Sequence, residues 1–204
     1  MIWSKFIQPR LISIACTSKP IRRQRAKVIP KADGTVLEIG FGSGHNLPFY
    51  NKNNVKKIIG LEPSVNMQKL SKRRLKNFNI NFELLTERAE EIPLESNSID
   101  SVVCTYTLCS ISKPELALSE IKRVLKKNGK FIFTEHAISP DLKINKFQKK
   151  IEPIWKFLAD GCHLTRDIRK MLIENGFNID SSDDMYLPRT PKFIGYHIWG
   201  QLIN

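Results

Sequence analysis

The sequence contains 204 residues, of which 41% are hydrophobic and 26% are charged. This length and balance suit a single folded domain spanning residues 1–204 and exclude a disordered or fibrous chain. Lysine and arginine number 33 against 20 acidic residues, which gives a formal net charge of +13 and favours contact with anionic ligands or surfaces. No run approaches the ~18 consecutive apolar residues of a membrane-spanning helix, and no signal-peptide cleavage site follows the N-terminus.

The four cysteines are scattered along the chain without a C-x-x-C pair. This pattern argues against a zinc knuckle and a disulfide framework, and it favours free thiols in a cytoplasmic protein. We therefore expect a cytoplasmic location and no bound metal.

The first 31 residues are predicted to form a basic amphipathic arm. They hold eight basic residues and no acidic residue. Apolar residues recur at helical spacing from Trp3 to Ile14, and Pro9 is placed to start a second helical piece. We expect this arm, residues 1–31, to pack over the domain, and peripheral contact with a membrane surface is the alternative role.

Predicted strands and helices alternate after the arm. Strands are expected at residues 35–39, 55–61, 81–85, 98–105, 130–135, 177–179 and 194–203. Helices are expected from about residue 46 and at residues 65–78, 115–127 and 166–175. This alternation is typical of an α/β fold in which helices cover both faces of a mostly parallel sheet.

A glycine-rich turn follows the first predicted strand, in the stretch VLEIGFGSG at residues 36–44. Its glycines, Gly40, Gly42 and Gly44, allow a ligand to approach the main chain closely. No lysine follows at the place that a P-loop requires, and the spacing G-x-G-x-G differs from the G-x-G-x-x-G of dinucleotide folds. The turn therefore predicts a nucleotide-like ligand other than a P-loop phosphate.

Two acidic residues narrow the choice of ligand. Glu38 stands two residues before Gly40, where it would repel a pyrophosphate but attract an ammonium or a sulfonium group. Glu62 ends the second predicted strand, where a carboxylate commonly accepts hydrogen bonds from ribose hydroxyls. Together they predict a nucleoside ligand that carries positive charge.

Five motifs in sequence order carry a resemblance to a known family. They are VLEIGFGSG, GLEPS with Met67 after it, AEEIP, SIDSVVCTYTL and LKKNGKFIFTE. From about residue 28 onward the chain resembles the class I S-adenosylmethionine-dependent methyltransferases, type-11 small-molecule subgroup. The resemblance implies a single-domain Rossmann-like fold with a seven-stranded, mostly parallel sheet whose last strand is antiparallel. It also implies an enzyme that uses S-adenosyl-L-methionine and releases S-adenosyl-L-homocysteine.

The resemblance also implies which residues hold the cofactor. The glycines would pass under its methionine part, Glu62 would hold the ribose, and Ala89 and Glu90 would border the adenine. Thr105 and Tyr106 would begin the loop over the reactive centre. The full implied set is Glu38, Gly40, Gly42, Gly44, Asn46, Glu62, Pro63, Met67, Ala89, Glu90, Thr105 and Tyr106.

Further motifs resemble a narrower branch that includes the alkyl-thiol S-methyltransferases. They are HNLPFY, TYTLCSI, EH and DGCHLTR. The implied acceptor is a small molecule of thiol, amine or quinol type, methylated by in-line displacement. The catalytic candidates are His136 and Tyr106, which follow predicted strands, and His163, in a segment at residues 137–164 that we expect to cover the acceptor site.

Other functions stay open on the sequence alone. The net charge of +13 is compatible with a nucleic-acid methyltransferase, although the Asp/Asn-Pro-Pro-aromatic loop used for base amino groups is missing and no RNA-binding module is recognisable. A non-catalytic protein that binds a nicotinamide-type nucleotide is a further alternative, which the glycine spacing opposes.

Overall fold

A computed structural model describes residues 3–76, 78–179 and 181–204. Within these residues, seven strands form one sheet in the order β3-β2-β1-β4-β5-β7-β6. The strands are β1 Gly34–Ile39, β2 Val55–Leu61, β3 Asn81–Leu85, β4 Ile99–Thr105, β5 Leu125–His136, β6 Ser182–Tyr186 and β7 Tyr196–Ile203. Pairs from β3 to β5 are parallel, whereas β7 is antiparallel to both β5 and β6. The predicted α/β sheet with an antiparallel last strand is confirmed.

Helices cover both faces of this sheet. They are α1 Gln8–Ala15, α2 Lys19–Val28, α3 Val65–Leu75, α4 Pro114–Val124, α5 Leu142–Leu158, α6 Ile168–Glu174 and the single turn α7 Lys192–Gly195. Leu37 and Val102 pack with α4 and α6 on one face, whereas Val36 and Val103 pack with the ends of α2 and α3 on the other. Successive residues of a strand thus pack into the hydrophobic cores on opposite faces of the sheet. This explains why the central strands are apolar on both faces.

Some predicted boundaries are wrong. No strand forms at residues 177–179, because the amide of Phe177 bonds to the carbonyl of Leu172 and closes the end of α6 around Gly176; the edge strand β6 lies further on. Instead of a helix from residue 46, a single 3-10 turn, Leu47–Phe49, follows the glycine loop. The last strand begins at Tyr196, since residues 192–195 form α7.

The N-terminal arm forms a π-helical turn, Trp3–Ile7, followed by α1 and α2. The arm lies against the carboxyl-terminal edge of the sheet: Ser13 Oγ hydrogen-bonds to Ser43 Oγ at 2.8 Å, and Gln8 Nε2 donates to the carbonyl of Phe157 at 3.0 Å. Residues 1 and 2 of the predicted arm lie outside the described residues. Among the helices that are described, none has the length and apolar character to cross a membrane.

Candidate functional site

A cavity of about 690 Å³ lies at the carboxyl ends of β1, β2, β4 and β5. This volume is in the range of small-molecule sites. The loops after β1, β2 and β4 contribute to its wall, together with the arm and the end of α5. The parallel strands bring these loops to one edge, since Ile39 of β1 pairs with Leu61 of β2 and with Cys104 of β4.

Two glycines of the loop after β1 shape the cavity floor. Gly40 has a φ of 66°, and a Cβ there would lie 2.2 Å from the Thr107 Oγ1 atom, so only glycine allows the loops after β1 and β4 to meet. Gly42 has a φ of 58°, and a Cβ there would be in van der Waals contact with Met67 Cε at 3.4 Å and would lie 4.0 Å from Glu62 Oε2. Because Gly42 lines the cavity and has no Cβ, a ligand can approach its main chain.

The carboxylate of Glu62 is fixed beside this space. Its Oε2 accepts from the amide of Gly42 and its Oε1 from the amide of Ser64, both at 2.8 Å. Burial raises the pKa of Glu62. Each oxygen retains capacity for a second hydrogen bond, so the carboxylate can accept from the two hydroxyls of a ribose. Pro63, Met67, Ala89 and Glu90 also line the cavity.

Glu38 lies behind the glycine loop and does not line the cavity. Its two carboxylate oxygens accept from Asn46 Nδ2 at 2.9 Å and from the Tyr50 hydroxyl at 2.6 Å. Burial raises the pKa of Glu38 to about 7. Asn46 and Gly44 likewise lie outside the cavity lining, so these three predicted cofactor residues support the loop from behind.

Arg25 from α2 is a cavity residue that the sequence analysis did not single out. Its Nη1 donates to Asn46 Oδ1 and, at 2.8 Å, to Thr105 Oγ1. Among the described residues, its buried Nε has no hydrogen-bond partner. A helical-face argument could have found it, because Arg25 shares a face of α2 with Ile21 and Val28 instead of pointing to solvent. A guanidinium that lines the cavity is suited to an anionic group of a ligand.

Tyr106 follows β4 and lines the cavity in a strained conformation. Its φ is 57°, which an aromatic residue rarely adopts and which often marks functional sites. The Arg25 guanidinium lies over its ring, 5.2 Å from the centroid. Burial raises the pKa of Tyr106, and its hydroxyl forms no well-aligned hydrogen bond with the described residues. The phenol therefore stays neutral.

Three further cavity residues form a buried cluster: Cys109, His136 and Cys162, whose nitrogen and sulfur atoms lie within 4.8 Å of one another. His136 Nε2 is 2.7 Å from Cys162 Sγ, and the Trp155 indole donates to the same sulfur at 3.2 Å. Contact with the Cys162 thiol and burial raise the pKa of the Cys109 thiol. His136 was predicted, but the cluster was not, because its successive members are 27 and 26 positions apart and form no local motif.

The buried carboxylate of Glu135 holds the loop that carries Cys109. It accepts from the amides of Thr107 at 2.7 Å, Leu108 at 3.0 Å and Cys109 at 3.4 Å. A carboxylate that accepts hydrogen bonds from three backbone amides holds this loop in place. Glu135 is therefore a positioning residue.

The structure does not bring the His163 side chain together with the other catalytic candidates. Its Nδ1 is 2.9 Å from Glu152 Oε1, on α5, and it is absent from the cavity lining. Its main chain, in contrast, lies close, because the amide of His163 donates to the carbonyl of Cys109 at 2.9 Å. The segment at residues 137–164 reaches the cavity through Trp155, Leu158 and the stretch 159–162.

Comparison with known proteins gives matches over most of the chain. Residues 37–133 match a family model described as a methyltransferase domain. Thiol S-methyltransferase TMT1B of Rattus norvegicus is 34% identical over 174 residues, which cover 83% of this chain and 70% of that protein. Thiol S-methyltransferase TMT1A of Homo sapiens is 33% identical over 179 residues, which cover 86% and 72%.

A solved structure from Thermotoga maritima supports the fold independently. It is described as an S-adenosylmethionine-dependent methyltransferase, possibly a histamine N-methyltransferase, and covers 98% of this chain and 99% of its own. The TM-score is 0.68 at 20% sequence identity. At this identity the likeness concerns the arrangement of strands and helices alone.

Proposed function

We propose that this chain, which belongs to the class I S-adenosylmethionine-dependent methyltransferases and is related to the thiol S-methyltransferases, methylates the sulfur of a small-molecule thiol. The general activity, methyl transfer from S-adenosylmethionine to a small molecule, follows from the family. Because the chain belongs to this methyltransferase family, we no longer consider the alternative of a non-catalytic protein that binds a nicotinamide-type nucleotide. The thiol is our choice among the thiol, amine and quinol-type acceptors.

The residues around the cavity fit the cofactor. Gly42 lines the cavity without a side chain, so a ligand can approach its main chain, and Glu62 is fixed where a ribose can bind. We assign the guanidinium of Arg25, which lines the cavity, to the carboxylate of the methionine part. Glu38 and Asn46 do not line the cavity. Glu38 accepts a hydrogen bond from the Asn46 amide, whose oxygen in turn accepts one from Arg25 and orients it.

S-adenosylmethionine supplies a methyl carbon activated by a positively charged sulfur. The acceptor thiol loses its proton to water, a lone pair of the resulting thiolate forms the new carbon–sulfur bond, and the electron pair of the broken bond remains on the cofactor sulfur. The leaving group needs no protonation, so the chain chiefly has to orient the acceptor and exclude water. Tyr106, in its strained turn, and His136 are our catalytic candidates because both line the cavity; His163 is disfavoured by its pairing with Glu152.

The observation that carries the thiol proposal is the sulfur and imidazole cluster in a cavity with an apolar wall. Pro9, Leu11 and Ile12 of the arm and Trp155 of α5 contribute to that wall. Glu135 does not line the cavity and is bound to three backbone amides, so it is not available to an acceptor. The apolar wall suits an acceptor with an apolar body, and we therefore favour an alkyl or aryl thiol.

A matched set of acceptors tests this proposal. The full chain is given S-adenosylmethionine and a thiol, an alcohol and an amine with one carbon skeleton, a quinol, or an RNA oligonucleotide. We expect S-adenosylhomocysteine and a methylated product, both measured by mass spectrometry, from the thiol alone. Faster methylation of any other acceptor would show that the acceptor class is wrong.

We also propose a cytoplasmic location with peripheral membrane contact through the arm and α5. Both elements border the cavity, and both expose large apolar side chains, here called the apolar surface: Phe6, Ile7, Leu11 and Ile14 on the arm, and Leu142, Phe147, Ile154, Phe157 and Leu158 on α5. Trp3 stacks on Phe157 and joins the two elements. Exposed lysines on α5 supply charge for anionic lipid headgroups: Lys143, Lys146, Lys149, Lys150 and Lys156.

A further inference from the structure

We propose that Cys109, His136 and Cys162 bind a zinc ion with one coordination position left open to the cavity. We further propose that the acceptor thiol binds at this position, and this second step rests on the proposed function. No metal was predicted from the sequence, because the sequence contains no paired cysteine motif. The site is formed instead by three separate elements of the fold.

The three side chains converge from different parts of the chain. Cys109 comes from the loop after β4, His136 ends β5 and Cys162 follows α5. All three are buried, all line the cavity, and their donor atoms lie within 4.8 Å of one another. A tetrahedral zinc ion with Zn–N of about 2.0 Å and Zn–S of about 2.3 Å separates nitrogen and sulfur ligands by about 3.5 Å. The His136–Cys162 contact of 2.7 Å thus has to open by less than about 1 Å.

The imidazole of His136 has an incomplete set of partners for a buried group. Among the described residues, its Nδ1 has no hydrogen-bond partner, and its Nε2 contacts the Cys162 sulfur. The nitrogen that faces the cluster is therefore Nε2. A cation between Nε2 and the two sulfur atoms would replace this short nitrogen–sulfur contact with metal–ligand bonds.

The ligand set favours zinc and leaves room for a fourth ligand. Two thiolates and one neutral imidazole match catalytic zinc sites with three protein ligands and an open position. Two negative thiolates balance the two positive charges of the ion, which makes the site compatible with burial. Trp155 already donates to the Cys162 sulfur at 3.2 Å, the kind of outer hydrogen bond that orients a metal ligand.

An open zinc position would activate a thiol without a separate base. When the thiol binds, its S–H bond breaks, the proton is released to solvent and the sulfur becomes a zinc-bound thiolate, because a coordinating thiol is deprotonated outright. The thiolate then donates the lone pair that forms the new carbon–sulfur bond. The neutral thioether product is a weaker ligand than a thiolate, so it leaves and the position opens again.

Metal analysis tests the site directly. The full chain is reduced with a phosphine, loaded with one equivalent of zinc and challenged with a weak chelator, and the retained metal is measured by mass spectrometry. We expect about one zinc per wild-type chain, and at least about tenfold weaker retention in Cys109→Ser and Cys162→Ser. Cys16→Ser is the matched control, because Cys16 also lines the cavity but lies outside the cluster, and it should retain zinc.

Two further measurements keep the result interpretable. Binding of S-adenosylhomocysteine verifies that each variant is folded, and cobalt loading should give the visible absorption of a tetrahedral thiolate site in the wild type and in Cys16→Ser. A folded, reduced wild type that retains no zinc overturns the proposal. Zinc retention by Cys109→Ser and Cys162→Ser equal to that of the wild type overturns it as well.

Activity separates this proposal from the proposed function. Thiol methylation at an unchanged rate by zinc-free wild type overturns the binding of the acceptor thiol to zinc and leaves the function standing. Zinc retention without thiol methylation overturns the function and leaves the metal site standing.

Discussion

Arg25 in α2 and Thr105 at the end of β4 are joined by a hydrogen bond of 2.8 Å, although 80 positions separate them in the chain. The bond places a residue of the basic arm inside the cavity wall. The arm therefore does more than pack over the domain, since it completes the site at the point where the cofactor is expected.

We expect Arg25→Met to weaken binding of S-adenosylhomocysteine by about tenfold or more, which corresponds to about 1.4 kcal/mol. The reason is loss of the donor assigned to the methionine carboxylate. Binding of 5′-methylthioadenosine, which has no carboxylate, should change little. Calorimetry with both ligands checks the prediction, with the exposed Arg22→Met as control. Equal losses for the two ligands would contradict the assignment.

Glu62→Gln is expected to lower cofactor affinity at least about tenfold, because the amide replaces a carboxylate oxygen that accepts from a backbone amide and is expected to accept from the ribose. The matched control is Glu83→Gln, since Glu83 pairs with Lys57 on the surface of β3. The thermal shift produced by S-adenosylhomocysteine measures the effect. A shift as large in Glu62→Gln as in the control would be inconsistent with ribose binding at Glu62.

Glu38 should make stability depend on pH in the cofactor-free protein. Its pKa is raised from 4.5 to about 7, so between these values the folded state keeps a proton that the unfolded state has lost. Relative to Glu38→Gln, the free energy of unfolding should therefore be highest below pH 4.5 and fall as the pH rises to 7, by up to about 3 kcal/mol.

Denaturant titrations of the two proteins across this pH range measure the difference. His45 and His197, whose pKa values burial lowers to about 4, act in the opposite direction but are common to both proteins. A difference that is constant with pH would show that Glu38 is already ionised in the folded state.

The apolar surface is expected to bind anionic vesicles. Ile14→Ser combined with Ile154→Ser should weaken binding to phosphatidylglycerol vesicles at least several-fold, because both side chains are about two-thirds exposed and neither lines the cavity. Added salt should also weaken binding, since the lysines of α5 contribute. Cosedimentation measures both effects. Ile173→Ser, an exposed isoleucine on α6, is the control, and identical binding by all proteins would refute the membrane contact.

Much of the fold could be predicted because the signals are local. The apolar run of β1, the three glycines and the placement of Glu62 indicated the sheet and its nucleotide edge, whereas Glu38 lies behind the loop and not beside the ligand as predicted. Phe177 shows where local reasoning fails: its sequence suits a strand, but its amide is needed to close α6. Whether such an amide joins a helix end or a sheet depends on contacts that no short window contains.

The acceptor side was less predictable for the same physical reason. Cys109 and Cys162 each resemble ordinary buried cysteines until the fold brings them to His136. His163 carried a local signal, its position in DGCHLTR, yet its side chain pairs with Glu152 on a helix that the sequence did not delimit. The amide of His163 instead bonds to the carbonyl of Cys109 and holds the neighbouring Cys162 at the cavity wall.

The atom that receives the methyl group tests the account most directly. The wild-type chain is given S-adenosylmethionine labelled with carbon-13 in its methyl group and an acceptor that carries both a thiol and a primary amine, and the product is examined by nuclear magnetic resonance. We predict a labelled methyl carbon bonded to sulfur, with the amine unmodified. A labelled methyl group on nitrogen, or consumption of S-adenosylmethionine without any labelled thioether, would contradict the proposal.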